Sequence, residues 1–162
     1  MSDIFLHTIH KGDSQDSNNK DAIEVTSFQM GAIMPVSDRR SGAGSGTVAD
    51  VNISDIVFTK QMDKSSVPML GESWMGKHFD KMLFKFYRSD GDNGRAVYME
   101  AMIEFGVISG YSFSSGGELP FESISVNPGK ITFKYAPTSN STGGIEGGPI
   151  IVSYDAITKQ NA

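Results

Sequence analysis

The stretch Arg95-Ala-Val-Tyr-Met-Glu-Ala-Met-Ile-Glu-Phe-Gly-Val107 alternates with period two, and nothing else in the chain restricts its fold as much. Val97, Met99, Ala101, Ile103, Phe105 and Val107 fall on one face. Tyr98, Glu100, Met102 and Glu104 fall on the other. Alternation of this kind marks a sheet strand with one side in a core. In residues 81–88, Met82, Phe84 and Phe86 oppose Lys81, Leu83, Lys85 and Tyr87. In residues 130–135, Ile131, Phe133 and Tyr135 oppose Lys130, Thr132 and Lys134. Across residues 50–59 the phase slips. Val51 and Ile53 are odd while Ile56 and Phe58 are even, which predicts a β-bulge near Ser54-Asp55. Further strands are expected at 3–10, 22–34 and 149–158. Seven or eight antiparallel strands with no internal repeat, in 162 residues, predict a single domain spanning 1–162. A closed or nearly closed barrel is the simplest way to bury their apolar faces. Glycine-serine clusters at 41–46, 114–117 and 141–148 read as its connections.

One segment breaks the pattern. Residues 58–79 contain a helical stretch with Ser65 or Ser66 at its N-terminus, Pro68 in the first turn and Gly76-Lys77 at its end. Val67, Leu70 and Trp74 have the i, i+3, i+7 spacing of an apolar helix face. A helix of about three turns is not stable alone in water, so it must lie on the sheets. The expectation is that Trp74, the only tryptophan, is buried there as a wall element. Gly71 inside the helix costs about 1 kcal/mol against alanine and marks a place of close approach.

Composition excludes several functions. The chain has no cysteine, and so no disulfide and no thiolate chemistry. A net charge of -5 offers no basic stripe for nucleic acid. No apolar run approaches membrane-spanning length, and the N-terminus, with Asp3 and no apolar core, does not read as a cleavable signal peptide. The expectation is a protein made in the cytoplasm that leaves the cell, if at all, by another route. His7 and His10 sit three apart on an expected strand and point to opposite faces, so they do not share a metal. His78, past the helix end, reads as a partner of carbonyls or solvent. Asp90 and Asp92 read as a turn, because the distal glutamate of a calcium loop is missing. The Gly-x-Gly-x-Gly in 41–46 precedes a strand and lacks a lysine, so it is no phosphate cradle. No cofactor, metal or catalytic group is expected.

Several stretches, in order along nearly the whole chain, resemble the haemolysin-coregulated protein (Hcp) family, the tube subunits of the bacterial type VI secretion system. They are residues 21–31, closing on Gly31; residues 53–70, a strand, then Phe58-Thr59-Lys60, Asp63-Lys64-Ser65 and the helix; residues 76–91; and residues 116–135. Phe28 stands where members often carry tryptophan, and Ser153-Tyr154 where a Gly-Trp pair is frequent. Asn127-Pro128-Gly129 interrupts a strand that is usually continuous. A tripeptide of that kind on its own predicts a tight turn, and in a sheet it predicts a bulge; the expectation here is a bulged strand.

The resemblance implies a mainly β fold, a small antiparallel β-barrel of two sheets with one short α-helix on its side. It implies a homo-hexameric ring, rings stacked into a hollow tube, and secreted effector proteins held in the lumen. A contractile sheath and tip proteins would be partners, with no nucleic acid and no membrane insertion. It places Gln29 as a lumen-facing, effector-contacting side chain, with Phe28 turned into the core. The loop 37–46 is expected at the ring's rim, where Asp38, Arg39, Arg40, Ser41, Gly42 and Gly44 would contact the next ring. A monomeric β-barrel ligand-binding module, for carbohydrate for example, and a phage-type tail-tube protein are the alternatives.

Overall fold

A computed structural model of the protein describes residues 3–35, 50–89, 94–137 and 147–161. The segment expected at the ring's rim, including Asp38, Arg39, Arg40, Ser41, Gly42 and Gly44, lies outside the described residues, as do Asp90 and Asp92.

Twelve strands and one helix are described: β1 (Ile4–His7), β2 (Ile23–Val25), β3 (Ser27–Gln29), β4 (Ala32–Ile33), β5 (Asn52–Ile53), β6 (Ile56–Gln61), α1 (Ser66–Met75), β7 (His78–Ser89), β8 (Arg95–Ser114), β9 (Phe121–Asn127), β10 (Lys130–Tyr135), β11 (Ile150–Asp155) and β12 (Gln160–Asn161). There are more strands than the alternation predicts because bends and bulges divide the expected ones. Thr26 separates β2, which pairs with β1, from β3, which pairs with β6. The slip at Ser54-Asp55 is a change of sheet: β5 pairs with β4 in a two-stranded ribbon, and β6 joins the main sheet.

The barrel can be traced through its pairings. From β7 the ladder runs through β1 to β2, crosses Thr26 into β3, and continues through β6 and β9 to β8, which pairs with β7. The Thr26 N–H donates to the Thr59 carbonyl at 2.7 Å, tying the corner to β6. Leu6, Ile23, Ile56, Phe58, Met82, Phe84, Ala101, Ile103, Ile124 and Val126 fill the interior. The inward sets expected on β6, β7 and β10 are therefore the observed ones at Ile56, Phe58, Met82, Phe84, Phe86 and Ile131.

On β8 the expected face holds only as far as Ile103. Phe105 has a φ of 54° and is exposed, and the next buried positions are Gly106 and Ile108. A left-handed residue inside a strand shifts the phase by one, so the simple alternation misplaces Phe105 and Val107.

Asn127-Pro128-Gly129 lies opposite this irregularity and is no reversal of the chain. Asn127 pairs with Val107 and Lys130 with Glu104, so the register across the interruption is unbroken. What changes is the neighbour on the far side. β9 pairs there with β6 and closes the barrel, whereas β10 pairs with β11. The strand forks the sheet. The two backbones come so close that a Cβ on Gly129 would stand 2.3 Å from the Phe105 carbonyl oxygen, and one on Gly106 2.6 Å from the Asn127 carbonyl oxygen.

The helix packs on its other face from the one expected. Ser66 and Met69 are buried and Leu70 and Ser73 half-buried, while Val67 is exposed and Trp74 is 79 % exposed. Both sets fit a helical period and share Leu70, and the barrel accepts the one with small residues because α1 approaches it closely at Ser66. No Ser65 side-chain hydrogen bond caps the helix. Asp63 does that work: its carboxylate accepts from the Ser65 N–H at 2.9 Å and its carbonyl accepts from the Ser66 N–H at 3.1 Å. Gly76 ends the helix at φ 61°.

Candidate functional site

Gln29 is the side chain on which the functional expectation rests, and the sheet around it can be built row by row. β3 alternates: Phe28 turns inward, with ring centroids 4.9 Å from Phe84 and 5.2 Å from Phe86, and Ser27 and Gln29 turn outward into solvent. Pairing carries those rows across four strands. Ser27 lies opposite Thr59, Thr59 opposite Ser123, and Ser123 opposite Ser112. Gln29 lies opposite Val57, then Ser125, then Gly110. Gln61, Phe121 and Ser114 form a third row.

No side chain in these three rows carries a charge. The Ser27 and Thr59 hydroxyls are hydrogen-bonded at 2.6 Å. Gly110 leaves room for the Ser125 hydroxyl, whose oxygen would stand 2.5 Å from a Cβ there. At one border Asp55 is occupied by neighbours: it accepts from Ser109 at 2.6 Å and from the Asn127 side chain at 2.9 Å.

The opposite sheet is different. Its outward rows run Lys81, Glu104, Lys130, Asp155; then Leu83, Met102, Thr132, Ser153; then Lys85, Glu100, Lys134, Ile151. Opposite charges face one another across neighbouring strands, an arrangement that favours this register. The barrel thus presents one neutral, hydroxyl-rich face and one face of alternating charge.

Beneath the end of the neutral face is a buried ionic cluster. Lys60 and Glu122 face each other on β6 and β9, in phase with the inward residues Phe58 and Ile124. The Lys60 ammonium lies 2.7 Å from Glu122 and 3.0 Å from Asp63, and donates to Ser66 Oγ at 2.8 Å. Ser66 Oγ donates to Glu122 at 2.9 Å and accepts from the Asp63 N–H at 3.0 Å. Tyr111 donates to the Ser66 carbonyl at 3.3 Å, and burial, reinforced by the nearby Glu122 carboxylate, pushes its phenol well up. This network joins β6, β9, β8 and the first turn of α1. With the lysine's three donors all used, it is built to hold the helix. Sequence reasoning missed it. The signal was present: two charged residues in the inward phase of two strands.

The histidines occupy separate places. His7 Nε2 is 2.9 Å from Asn19 Oδ1, His10 Nε2 is 3.0 Å from Glu72 Oε2, and His78 is exposed at the start of β7. Among the described residues no group of three or more potential ligands is placed to hold a metal. Two broad clefts, of about 800 and 480 Å³, flank β2 and the start of β7, and Trp74 lines neither.

Residues 5–135 match the family described as type VI secretion system effector, Hcp. Protein hcp1 of Pseudomonas aeruginosa is 28% identical over 152 residues, which cover 93% of this chain and 91% of that one. In fold the chain is similar to a type six secretion system protein (TM-score 0.86, 23% identity, all of both chains) and to Hcp1 from Salmonella typhimurium (TM-score 0.79, 20% identity, all of both chains).

Proposed function

Because the chain belongs to the Hcp family of type VI secretion proteins, we propose that it is a tube subunit whose neutral face lines a lumen that carries effector proteins. Six copies form a ring and rings stack into a hollow tube. A contractile sheath drives that tube outward behind its tip proteins, and the subunit leaves the cell in this way. The segment 37–46, with Asp38, Arg39 and Arg40, makes the contact from ring to ring.

The observation that carries this reading is the division of the barrel surface into a neutral face and a charged one. A lumen must hold cargo of varied charge and then release it. Rows of hydroxyls and amides offer weak, exchangeable hydrogen bonds, each of about 0.5–1.5 kcal/mol net. They neither trap an ion nor present a large apolar patch. Gln29 stands on β3 at the edge of this face, one row from the Ser27–Thr59 pair, and is longer than the serine and threonine side chains around it.

Light scattering on the eluted protein tests the assembly. The expected mass is about six times the 17.5 kDa chain, and a monomer at micromolar concentration overturns the reading.

A further inference from the structure

His7 is held through one ring nitrogen, and its neighbours fix which hydrogen that nitrogen carries. Asn19, fully buried, stands between His7 and Asp16. Its Nδ2 donates to Asp16 Oδ1 at 2.9 Å. Burial opposes a charge on Asp16, but hydrogen bonds from Asn19 and Asn18, with the Arg95 guanidinium beside it, hold its carboxyl below the usual carboxylate range. An ionised carboxylate only accepts, so the Asn19 amide has one orientation. Its Oδ1 faces the other way, accepting from the Tyr87 hydroxyl at 3.1 Å and lying 2.9 Å from His7 Nε2. An amide oxygen cannot donate. His7 Nε2 therefore carries a hydrogen, and Nδ1 is the nitrogen left for a ligand.

The imidazole fixed in this way lines a cleft of about 480 Å³, a volume suited to a small molecule. The cleft follows β7 from Leu83, which pairs with His7, back to His78, five residues or about 16 Å away. Ile9, Phe79 and Leu83 give it apolar walls. Lys81 shares the outward face with Leu83 and is the diagonal neighbour of His7, a separation that a long side chain spans. Toward the other end, Glu72 of α1 is engaged by His10 at 3.0 Å and by Lys77 at 3.6 Å. Asp80 and His78 complete the charged lining, and Glu104 on β8 lies opposite Lys81. A cationic corner, an apolar run and carboxylates beyond it suit a ligand with one negative head and an oily body. A second negative charge along that body would meet Asp80 or Glu72.

We infer that this cleft binds a small acid with an apolar body, its carboxylate held between His7 Nδ1 and the Lys81 ammonium and its hydrocarbon part laid along Ile9, Phe79 and Leu83. None of these residues belongs to the three neutral rows, so the cleft is a second site that does not rest on the ring reading.

The hold on His7 also sets a pH dependence. Between about pH 8 and pH 6, the range in which an imidazole takes up its proton, Nδ1 changes from acceptor to donor. The Nε2 hydrogen stays on Asn19 in both forms, so the cleft gains a charge while the loop beside it keeps its bonds. That charge is faced by Lys81 and Asp80 from β7, by Glu72 and Lys77 from the end of α1, and, through Asn19, by Asp16 and Arg95. His10 and His78 border the same cleft region, so a His7 variant is needed to isolate its share. Acid binding strengthens as pH falls.

The test is calorimetric titration of the purified protein with decanoate, below its micelle concentration, at pH 6 and at pH 8, alongside nitrogen NMR of the histidine rings. The expected result is saturable binding of one decanoate per chain, tighter at pH 6, with acetate and inorganic phosphate far weaker. Lys81→Met and His7→Gln should each weaken binding by about tenfold, as the loss of a charge-assisted hydrogen bond does. In the free protein at pH 8 the His7 ring should carry its hydrogen on Nε2, and decanoate should shift its Nδ1 resonance. Where His7→Gln does not fold, Lys81→Met, at an exposed position, and the ring spectra decide. The inference is overturned by a His7 hydrogen on Nδ1, by the absence of saturable binding, or by undiminished binding to Lys81→Met. Phosphate binding as tight as decanoate overturns the assignment of an acid with an apolar body.

Discussion

Trp74 and Lys60 contradict residue-by-residue intuition in opposite directions. The tryptophan is in solvent and the lysine is fully buried. A helical stripe through Val67, Leu70 and Trp74 has the right period and the wrong phase. Hydrophobicity alone favoured the stripe with the largest side chain, whereas the barrel selects the stripe that lets α1 come close. Trp74→Ala should therefore leave the melting curve of the isolated subunit within about 0.5 kcal/mol of wild type. A loss of several kcal/mol in a thermal or urea melt would put the tryptophan back in a core. Glu122→Ala should be far more damaging, by about 3 kcal/mol, because it removes the nearer and fully buried partner of Lys60 and leaves the buried ammonium only Asp63 to balance its charge. The double variant Lys60→Met with Glu122→Leu should recover most of that loss. Urea melts of the three proteins separate the outcomes: a double variant as unstable as Glu122→Ala would show that the ion pair itself stabilises the fold. Phe28 and Gln29, by contrast, were legible from the sequence, since period two on a short strand between paired neighbours leaves one choice of face.

At the scale of elements, the strands of the barrel were legible because each carries several apolar residues in phase. The interruptions were legible only as places. The slip at Ser54-Asp55 and the tripeptide Asn127-Pro128-Gly129 both marked where pairing changes. Neither indicated what the new partner would be, because partner choice depends on residues far away in sequence. The phase reset at Phe105 left no mark at all: phenylalanine with a positive φ is dictated by the crossing of β9–β10, not by its own preference. Gly129→Ala puts a methyl group against the Phe105 carbonyl, and about 1–3 kcal/mol of destabilisation is expected. Gly71→Ala, which meets open space, should stabilise the subunit by up to about 1 kcal/mol through helix propensity. A pair of thermal melts decides whether the fork is a tight crossing. Equal melting temperatures for Gly129→Ala and wild type would show that the two backbones separate easily there.

For the whole molecule, the order of motifs pointed to the family, and the fold followed. The division of the surface into a neutral and a charged face was not legible from any single segment. It depends on which strands become neighbours, and the rows exist only across β3, β6, β9 and β8. In the proposed tube this division has a measurable sign. Gln29→Arg should leave the ring mass unchanged, since the side chain is exposed and outside the barrel interior. It should lower the accumulation of co-expressed effectors by placing a fixed charge in a neutral lumen. Effector half-lives in cells, followed for several effectors, provide the check; unchanged half-lives would remove Gln29 from the cargo surface. Phe28→Arg serves as the contrast, because an unpaired charge between Phe84 and Phe86 should abolish folding, and soluble yield reads it out.

The fork also determines how the molecule meets its surroundings over time. β11 hangs from a strand whose pivot is a proline, with φ fixed near −65°, and a glycine pressed against a neighbouring backbone. The Gly129 carbonyl accepts the Ala156 N–H at 2.8 Å, which fastens the end of β11 nearest the pivot. The projection is therefore aimed before anything touches it. Little conformational freedom is left to lose on contact, so less of the interaction energy is consumed in ordering the projection. A subunit of this design behaves less like a flexible hook than like a rigid tenon cut in advance, ready to be inserted at the moment of collision.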